Sequence, residues 1–481
     1  MRRIFWIGNL ILLSVLVSGC ASVGPDYTPP SIDAPEHWHT DLKDGLTPQP
    51  SDPAVLAGWW RTLDDPLLSA LMARAVKGNL DLREARARVR EARARRGISE
   101  AAFYPSVDAT GSVSKGRSSE NSGSGKESTL YSAGFDAGWE LDVFGGTRRT
   151  VEAAQAGLEA SDADLSDVLV SLLAEVARNY IDVRTYQARL RVAEANISAQ
   201  EASLNLTQSR FEAGLSDELG VQQARYNLEN TRALLPTLRT GLYAAQNRLS
   251  VLLGERPGSV VAELTPDHGI PVPPISVAVG IPADTLRRRP DIRRAERRLA
   301  AQTAQIGVAT ADLYPRFRLP GAIGLESLSA DTWLNSSSLF WRIAPGVTWN
   351  IFDAGAVRQN IEVQGALQEQ ALARYEAALL TATEEVENAL KAYAEEQLRR
   401  DALIAAIDAA GKSVQLSEAQ YKAGLTDFSN VLIAQRSLLA FQDNLAVSEG
   451  TVTANLVRLY KALGGGWQPL AAENDRETSA P

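Results

Sequence analysis

The chain has one cysteine, Cys20, in 481 residues, so no disulfide can form within it. It has three histidines. His37 and His39 flank Trp38, but with no cysteine nearby and only His268 elsewhere they read as a surface pair and not as metal ligands. Aromatic residues make up 6% and there are two methionines, a balance that does not suit a compact enzyme core. Gly464-Gly465-Gly466 lacks the lysine that a phosphate loop needs, and no nucleophile elbow occurs. There is no large basic block, and the net charge is −9, which argues against a nucleic-acid partner. No apolar run is long enough for a spanning helix, since the mostly apolar stretch from Ile4 to Val17 falls short. An enzyme is therefore not expected, nor is a metal or other cofactor apart from a covalent lipid.

That lipid is expected on Cys20. Arg2 and Arg3 precede the apolar run, which ends Leu16-Val17-Ser18-Gly19-Cys20. The pattern resembles a bacterial lipoprotein signal, with residues 1–19 removed and the new N-terminal cysteine acylated. Ala21 instead of Asp after the cysteine implies delivery to the outer membrane.

Much of what remains is repeated. Phe211-Glu212-Ala213-Gly214-Leu215-Ser216-Asp217 recurs as Tyr421-Lys422-Ala423-Gly424-Leu425-Thr426-Asp427, 210 residues later. Glycine ends one helix and Ser, Thr or Asp caps the next, so each copy reads as a helix–turn–helix tip. The offset also relates Asn79–Arg83 to Arg289–Arg293, Tyr104-Pro105 to Tyr314-Pro315, and Leu253-Gly254 to Leu463-Gly464. The reading divides into a strap at 20–64, a first repeat at 65–254, a proline-rich equatorial linker at 255–288, a second repeat at 289–464 and a tail at 465–481, whose last residues read as disordered. The strap reads as extended. In each repeat a stretch of roughly 25 helical residues precedes the strands, a rod of roughly 67 residues and about 100 Å follows, and a return helix of roughly 37 closes the repeat. One long helix thus pairs with two shorter ones stacked end to end.

Between helices lie alternating stretches. In Leu130–Phe144 the odd positions include Tyr131, Phe135, Trp139 and Leu141, and the even ones from 132 to 142 are Ser, Gly, Asp or Glu. In the second repeat Trp341, Ile343, Val347 and Trp349 are odd, within a strand read over Leu339–Ile351. Shorter partners begin at Val107 and Phe317, and the Ser- and Gly-rich segment 115–129 reads as a loop. A strand of about ten residues with one apolar face is the unit of a transmembrane β-barrel, but four strands cannot close one, the smallest having about eight. Several chains must then share a barrel, with the odd residues facing lipid.

Val23–Pro30, Gly58-Trp59-Trp60, Leu286–Glu296 (with Arg288-Arg289-Pro290-Asp291-Ile292 the most specific part) and the two Ala-Gly-Leu tips resemble the TolC/NodT-type outer-membrane factors. The resemblance implies a mixed α+β membrane protein. Four transmembrane strands and a long antiparallel helical hairpin bundle per chain would assemble as a homotrimer, giving a twelve-stranded barrel on a twelve-helix periplasmic tunnel. It implies lipid anchoring in the outer membrane and two partners, a periplasmic adaptor and an inner-membrane pump of the resistance-nodulation-division type. The tips Ala213, Gly214, Leu215, Ala423, Gly424 and Leu425 would dock the adaptor. Tyr421, Asp427, Asn430, Ile433, Asp217 and Gly220 would line the periplasmic aperture. Relatives often carry Asp where this chain has Gly220, Asn430 and Ile433, so a carboxylate ring is not expected at those positions, and Asp217 and Asp427 read as helix caps. The expected function is a passive efflux duct. The alternatives are the outer-membrane channel of a type I protein secretion system and a structural coiled-coil envelope lipoprotein.

Overall fold

A computed structural model describes residues 22–31, 35–43, 45–50, 52–274 and 276–467. The signal at 1–19, Cys20 and the end of the tail lie outside the described residues. In chain order the elements are β1 (Leu46–Thr47), α1 (Pro53–Ala57), α2 (Pro66–Gly78), α3 (Leu80–Ala101), β2 (Ser106–Arg117), β3 (Glu127–Leu141), α4 (Gly146–Glu212) and α5 (Glu218–Leu252). There follow α6 (Val261–Leu264), β4 (Val277–Ala278), α7 (Pro282–Arg288), α8 (Pro290–Ala311), β5 (Arg316–Ser327), β6 (Leu339–Ile343), β7 (Gly346–Thr348), α9 (Ala356–Lys422) and α10 (Phe428–Ala462). The 210-residue offset holds to the residue for α3 and α8, β2 and β5, α4 and α9, and α5 and α10.

Two readings of local structure are corrected. The strap is not extended throughout. Asp52 caps α1 by accepting from the Ala54 N–H, with Pro53 in the first turn, and a 3-10 turn follows over Trp59–Leu63. The loop read at 115–129 shrinks to 118–126, because the ladder continues as far as Arg117 opposite Glu127.

The chain divides into two compact units, each drawing on both repeats. The first holds residues up to Ser31, Ala87–Asp162 and Arg294–Ala377. Its centre is an antiparallel sheet in the order β2-β3-β5-β6, with β7 also on β5. The strand expected over Leu339–Ile351 appears as β6 and β7, and β7 ends at Thr348. The break falls at Ala344-Pro345, opposite Pro320. Neither proline has an N–H to give, and only the Ala344 N–H to Pro320 carbonyl bond bridges the gap, at 3.0 Å. The register with β5 is the same on both sides of the break. Alongside, residues 22–31 cross the helices. Buried Arg149 donates to the Val23 and Gly24 carbonyls and pairs with Asp26. Gly24 has φ +86°, and a Cβ there would lie 2.4 Å from the Gly307 Cα, so only glycine fits.

The second unit holds Ile32–Arg86, Ala163–Arg293 and Ala378 onward. Trp59, 1% exposed, stacks on Tyr460 at 5.5 Å. Fully buried Arg184 reaches the proline-rich linker through the Pro266 carbonyl at 2.6 Å and holds the Tyr180 hydroxyl, which donates to Asp65. β1 pairs in parallel with β4, and the Trp38 indole donates to the Gly280 carbonyl, so strap and linker fasten each other. His37 and His39 are exposed.

Candidate functional site

The tips follow from their glycines. Gly214 and Gly424 take φ +69° and +75°. The next amide turns back five residues, Leu215 to the Arg210 carbonyl and Leu425 to the Gln420 carbonyl. This is the left-handed helix stop that closes two orphan carbonyls. Ala213, Gly214, Leu215, Ala423, Gly424 and Leu425 are all exposed, Leu425 by 78%. An apolar side chain so placed is free for a partner.

The two tips are not equivalent. Tyr421 is buried, packed edge-on to Phe428 with ring centres 5.4 Å apart, over a cluster of Ala224, Val431 and Leu432. Its counterpart Phe211 is exposed. The Arg210 guanidinium lies 5.0 Å from the centre of the Tyr421 ring and donates to the Lys422 carbonyl at 2.9 Å. The Tyr421 hydroxyl stands 3.4 Å from Ser216 Oγ, at the long end of hydrogen bonding. A cavity of about 430 Å³ opens between the tips, its rim carrying Arg210, Asp217 and Asp427. The repeat pattern gave no sign of Arg210, because its counterpart is Gln420.

Asp217 caps α5, accepting from the Gly220 N–H at 3.0 Å. Asp427 stands before α10 but makes no side-chain cap bond, so the cap reading fails there. The neighbouring polar contact is instead made by Asn430, whose amide donates to the Thr426 hydroxyl. Gly220 is buried, while Asn430 and Ile433 are exposed, Ile433 by 62%.

In the sheet the odd residues share one face. Phe135, Ile323 and Trp341 form one rung across three strands. Leu141, Phe317 and Val347 form another, and Tyr131 lies beside Val113. Ile343 stands opposite Gly321 and Trp139 opposite Leu319. Trp341 is 72% exposed and Phe135 59%, so this apolar face is uncovered among the described residues. Exposed apolar surface of this kind marks a membrane or a partner. The even face is polar, with Thr110 donating to Asp136 and Arg318 to Glu140. Phe340 breaks the alternation. On the even face its ring comes within 3.0 Å of where a Gly324 Cβ would stand, and Gly134 and Gly324 touch backbone to backbone. An even-numbered aromatic was visible in the sequence, but nothing there marked the glycines it covers.

No helix among the described residues is long and apolar enough to cross a membrane, and no cluster of His, Cys, Asp or Glu there could hold a metal ion.

A family model described as "Outer membrane efflux protein" matches residues 71–255 and 281–465. The chain is 32% identical over 462 residues to nodulation protein T of Rhizobium leguminosarum bv. trifolii, covering 95% of this chain and 97% of that protein. It is 33% identical over 483 residues to the toluene efflux pump outer membrane protein TtgF of Pseudomonas putida, covering 96% and 98%. The solved outer-membrane channel OprN superposes with a TM-score of 0.88 at 36% identity, over 93% of this chain and all of that one.

Proposed function

This chain belongs to the outer membrane efflux protein family, and we propose that within it the chain is a passive duct, assembled as a homotrimer, for cargo that an inner-membrane pump delivers through a periplasmic adaptor. It is an outer-membrane efflux channel component. The finer reading has three copies closing one barrel, with Tyr131, Phe135, Trp139, Leu141, Trp341, Ile343, Val347 and Trp349 toward lipid and the even face toward the lumen. An acyl chain on Cys20 adds an anchor, and the long helices extend into the periplasm.

One observation carries this reading: an open antiparallel sheet, its last strand split into β6 and β7, with an uncovered apolar face and unpaired edges at β2 and at β6 and β7. Bilayers do not tolerate open edges, so such a sheet must be completed by further strands. A purely structural coiled-coil lipoprotein has no use for it.

At the tips, Ala213, Gly214, Leu215, Ala423, Gly424 and Leu425 are assigned to the adaptor. Tyr421, Asp427, Asn430, Ile433, Asp217 and Gly220 are assigned to the aperture, with closure resting on the packing of Tyr421 and not on a ring of acids. A resistance-nodulation-division pump is the assigned driver, and the duct performs no catalysis and needs no cofactor.

Purified protein should migrate as a heat-stable trimer on a gel and give stepwise conductance in a planar bilayer. A trimer without conductance would favour the structural lipoprotein, and a monomer without conductance would remove the duct. A type I secretion channel would instead be identified by co-purification with a peptide-exporting pump.

A further inference from the structure

The helices at the two edges of the sheet carry complementary charges. α3 runs into β2, at one edge, and β7, at the other, leads into α9. On α3, Leu82, Ala85 and Val89 are buried. One flank, with Arg88, Glu91 and Arg95, faces α4, where Ala153, Ala154 and Gly157 line the same cavity of about 460 Å³. The other flank carries Arg83, Arg86, Arg90 and Arg93, spaced three, four and three residues apart as one helical stripe. None of these four arginines has an ion-pair partner among the described residues.

On α9, which also carries Arg358 and Arg374, a stripe of glutamates has the opposite sign. Glu362, Glu369 and Glu376 recur every seven residues, are exposed, and likewise have no ion-pair partner among the described residues. α9 meets α8 through Gln364, which accepts from Gln302 at 2.9 Å. At 100° per residue, Glu362 and Glu369 point roughly 140–160° away from that contact.

The internal repeat supplies a template for joining the two stripes. Within one copy α8 packs on α4, and Arg297 pairs with Glu159 at 3.0 Å. Moving α8 back and α4 forward by one repeat gives α3 and α9. These flank opposite edges of the sheet, so the equivalent contact can form only between copies. Under the same shift Glu159 becomes Glu369, and Arg297 becomes Ala87, next to Arg86. One heptad along, Ala94 falls opposite Glu362, next to Arg93.

We propose that copies of this chain are joined by an ion ladder between α3 of one and α9 of the next, Arg86 against Glu369 and Arg93 against Glu362, beside the pairing of β2 with β6 and β7 of the neighbouring copy. The ladder rests on the reading that several copies share one barrel. Two charged rungs would fix the register of the junction and reject a slipped one, where unlike charges would miss.

The test uses full-length protein in detergent. Arg93→Cys combined with Glu362→Cys should give covalent dimers and trimers on oxidation, and neither single variant should, Cys20 being present in all. Arg86→Glu with Arg93→Glu should raise the dissociated fraction roughly tenfold, and adding Glu362→Arg with Glu369→Arg should restore assembly. If the charge reversal prevents folding, the cysteine pair decides. Wild-type protein that is monomeric throughout would overturn the multi-copy reading itself. Wild type that assembles, with a cysteine pair that does not cross-link, would overturn the ladder alone.

Discussion

Trp139 and Trp349, one repeat apart, make the same bond. Each donates its indole N–H to a backbone carbonyl just past the helix that precedes the sheet, Phe103 at 2.9 Å and Leu313 at 3.0 Å. Each ring thus has an apolar body on the odd face and a polar edge tied to the end of a helix. That is the arrangement suited to a membrane–water boundary.

Trp139 therefore belongs near the end of its strand and not at its middle. Trp139→Arg is expected to cost about 0–1 kcal/mol, the range for a barrel position near the interface. Phe135→Arg or Trp341→Arg, in the central rung, should cost about 2–4 kcal/mol. Denaturant titration of the assembled protein in vesicles measures the difference. Equal costs at 139 and 135 would refute the boundary placement.

The two tip aspartates should separate in stability measurements. Asp217→Ala removes a cap and is expected to cost about 0.5–2 kcal/mol, seen as faster hydrogen exchange in the first turn of α5. Asp427→Ala removes no cap bond and should leave exchange in α10 unchanged. Protection lost equally at both tips would contradict the asymmetry.

Ile433 is exposed beside the tip, and nothing at Gly220, Asn430 or Ile433 is acidic. Ile433→Asp should place like charges close together around the aperture, where they bind a counter-ion. Divalent cations added on the periplasmic side should then block current strongly, and block the natural protein weakly. Strong block of the natural protein, abolished by Asp427→Asn, would show that the uncapped aspartates already form the ring.

Acid should weaken one contact of the second unit through Glu255. The Arg74 hydrogen bond, aided by Ser259, holds this carboxyl below its ordinary value of 4.5. A lowered folded pKa means that the stabilisation is complete above about 4.5 and is lost as pH falls through the lowered value. Both side chains are about a third exposed, so the contribution is at most about 1 kcal/mol. Arg74→Gln should remove this part of the acid dependence. An unchanged pH profile of stability in that variant would count against it.

Cys20→Ser should abolish incorporation of labelled palmitate while leaving barrel assembly intact, since strands and not lipid carry the sheet. Equal labelling of both proteins would reject the lipoprotein assignment.

Much of this architecture could be read from spacing alone. A repeat preserved to the residue is visible wherever both copies keep a landmark, and strand parity survives the break at Pro345 because the register does not shift there. What spacing hid depends on three-dimensional neighbours. Pro345 and Pro320 interrupt a ladder only because they fall at adjacent positions of its two strands. Asp427 looks like Asp217 in sequence, yet only Asp217 reaches an amide. The cation beside Tyr421 comes from Arg210, on the other repeat, where no motif announces it.

The unpaired edges of the sheet have a consequence for kinetics. A chain whose strands cannot be satisfied in lipid alone gains little from entering the bilayer alone. If, as proposed, several copies complete one barrel, insertion and association are one event, and its rate depends on how many copies are present. Apparent stability should rise with protein concentration by mass action, and a dilute preparation should wait at the membrane surface for its partners.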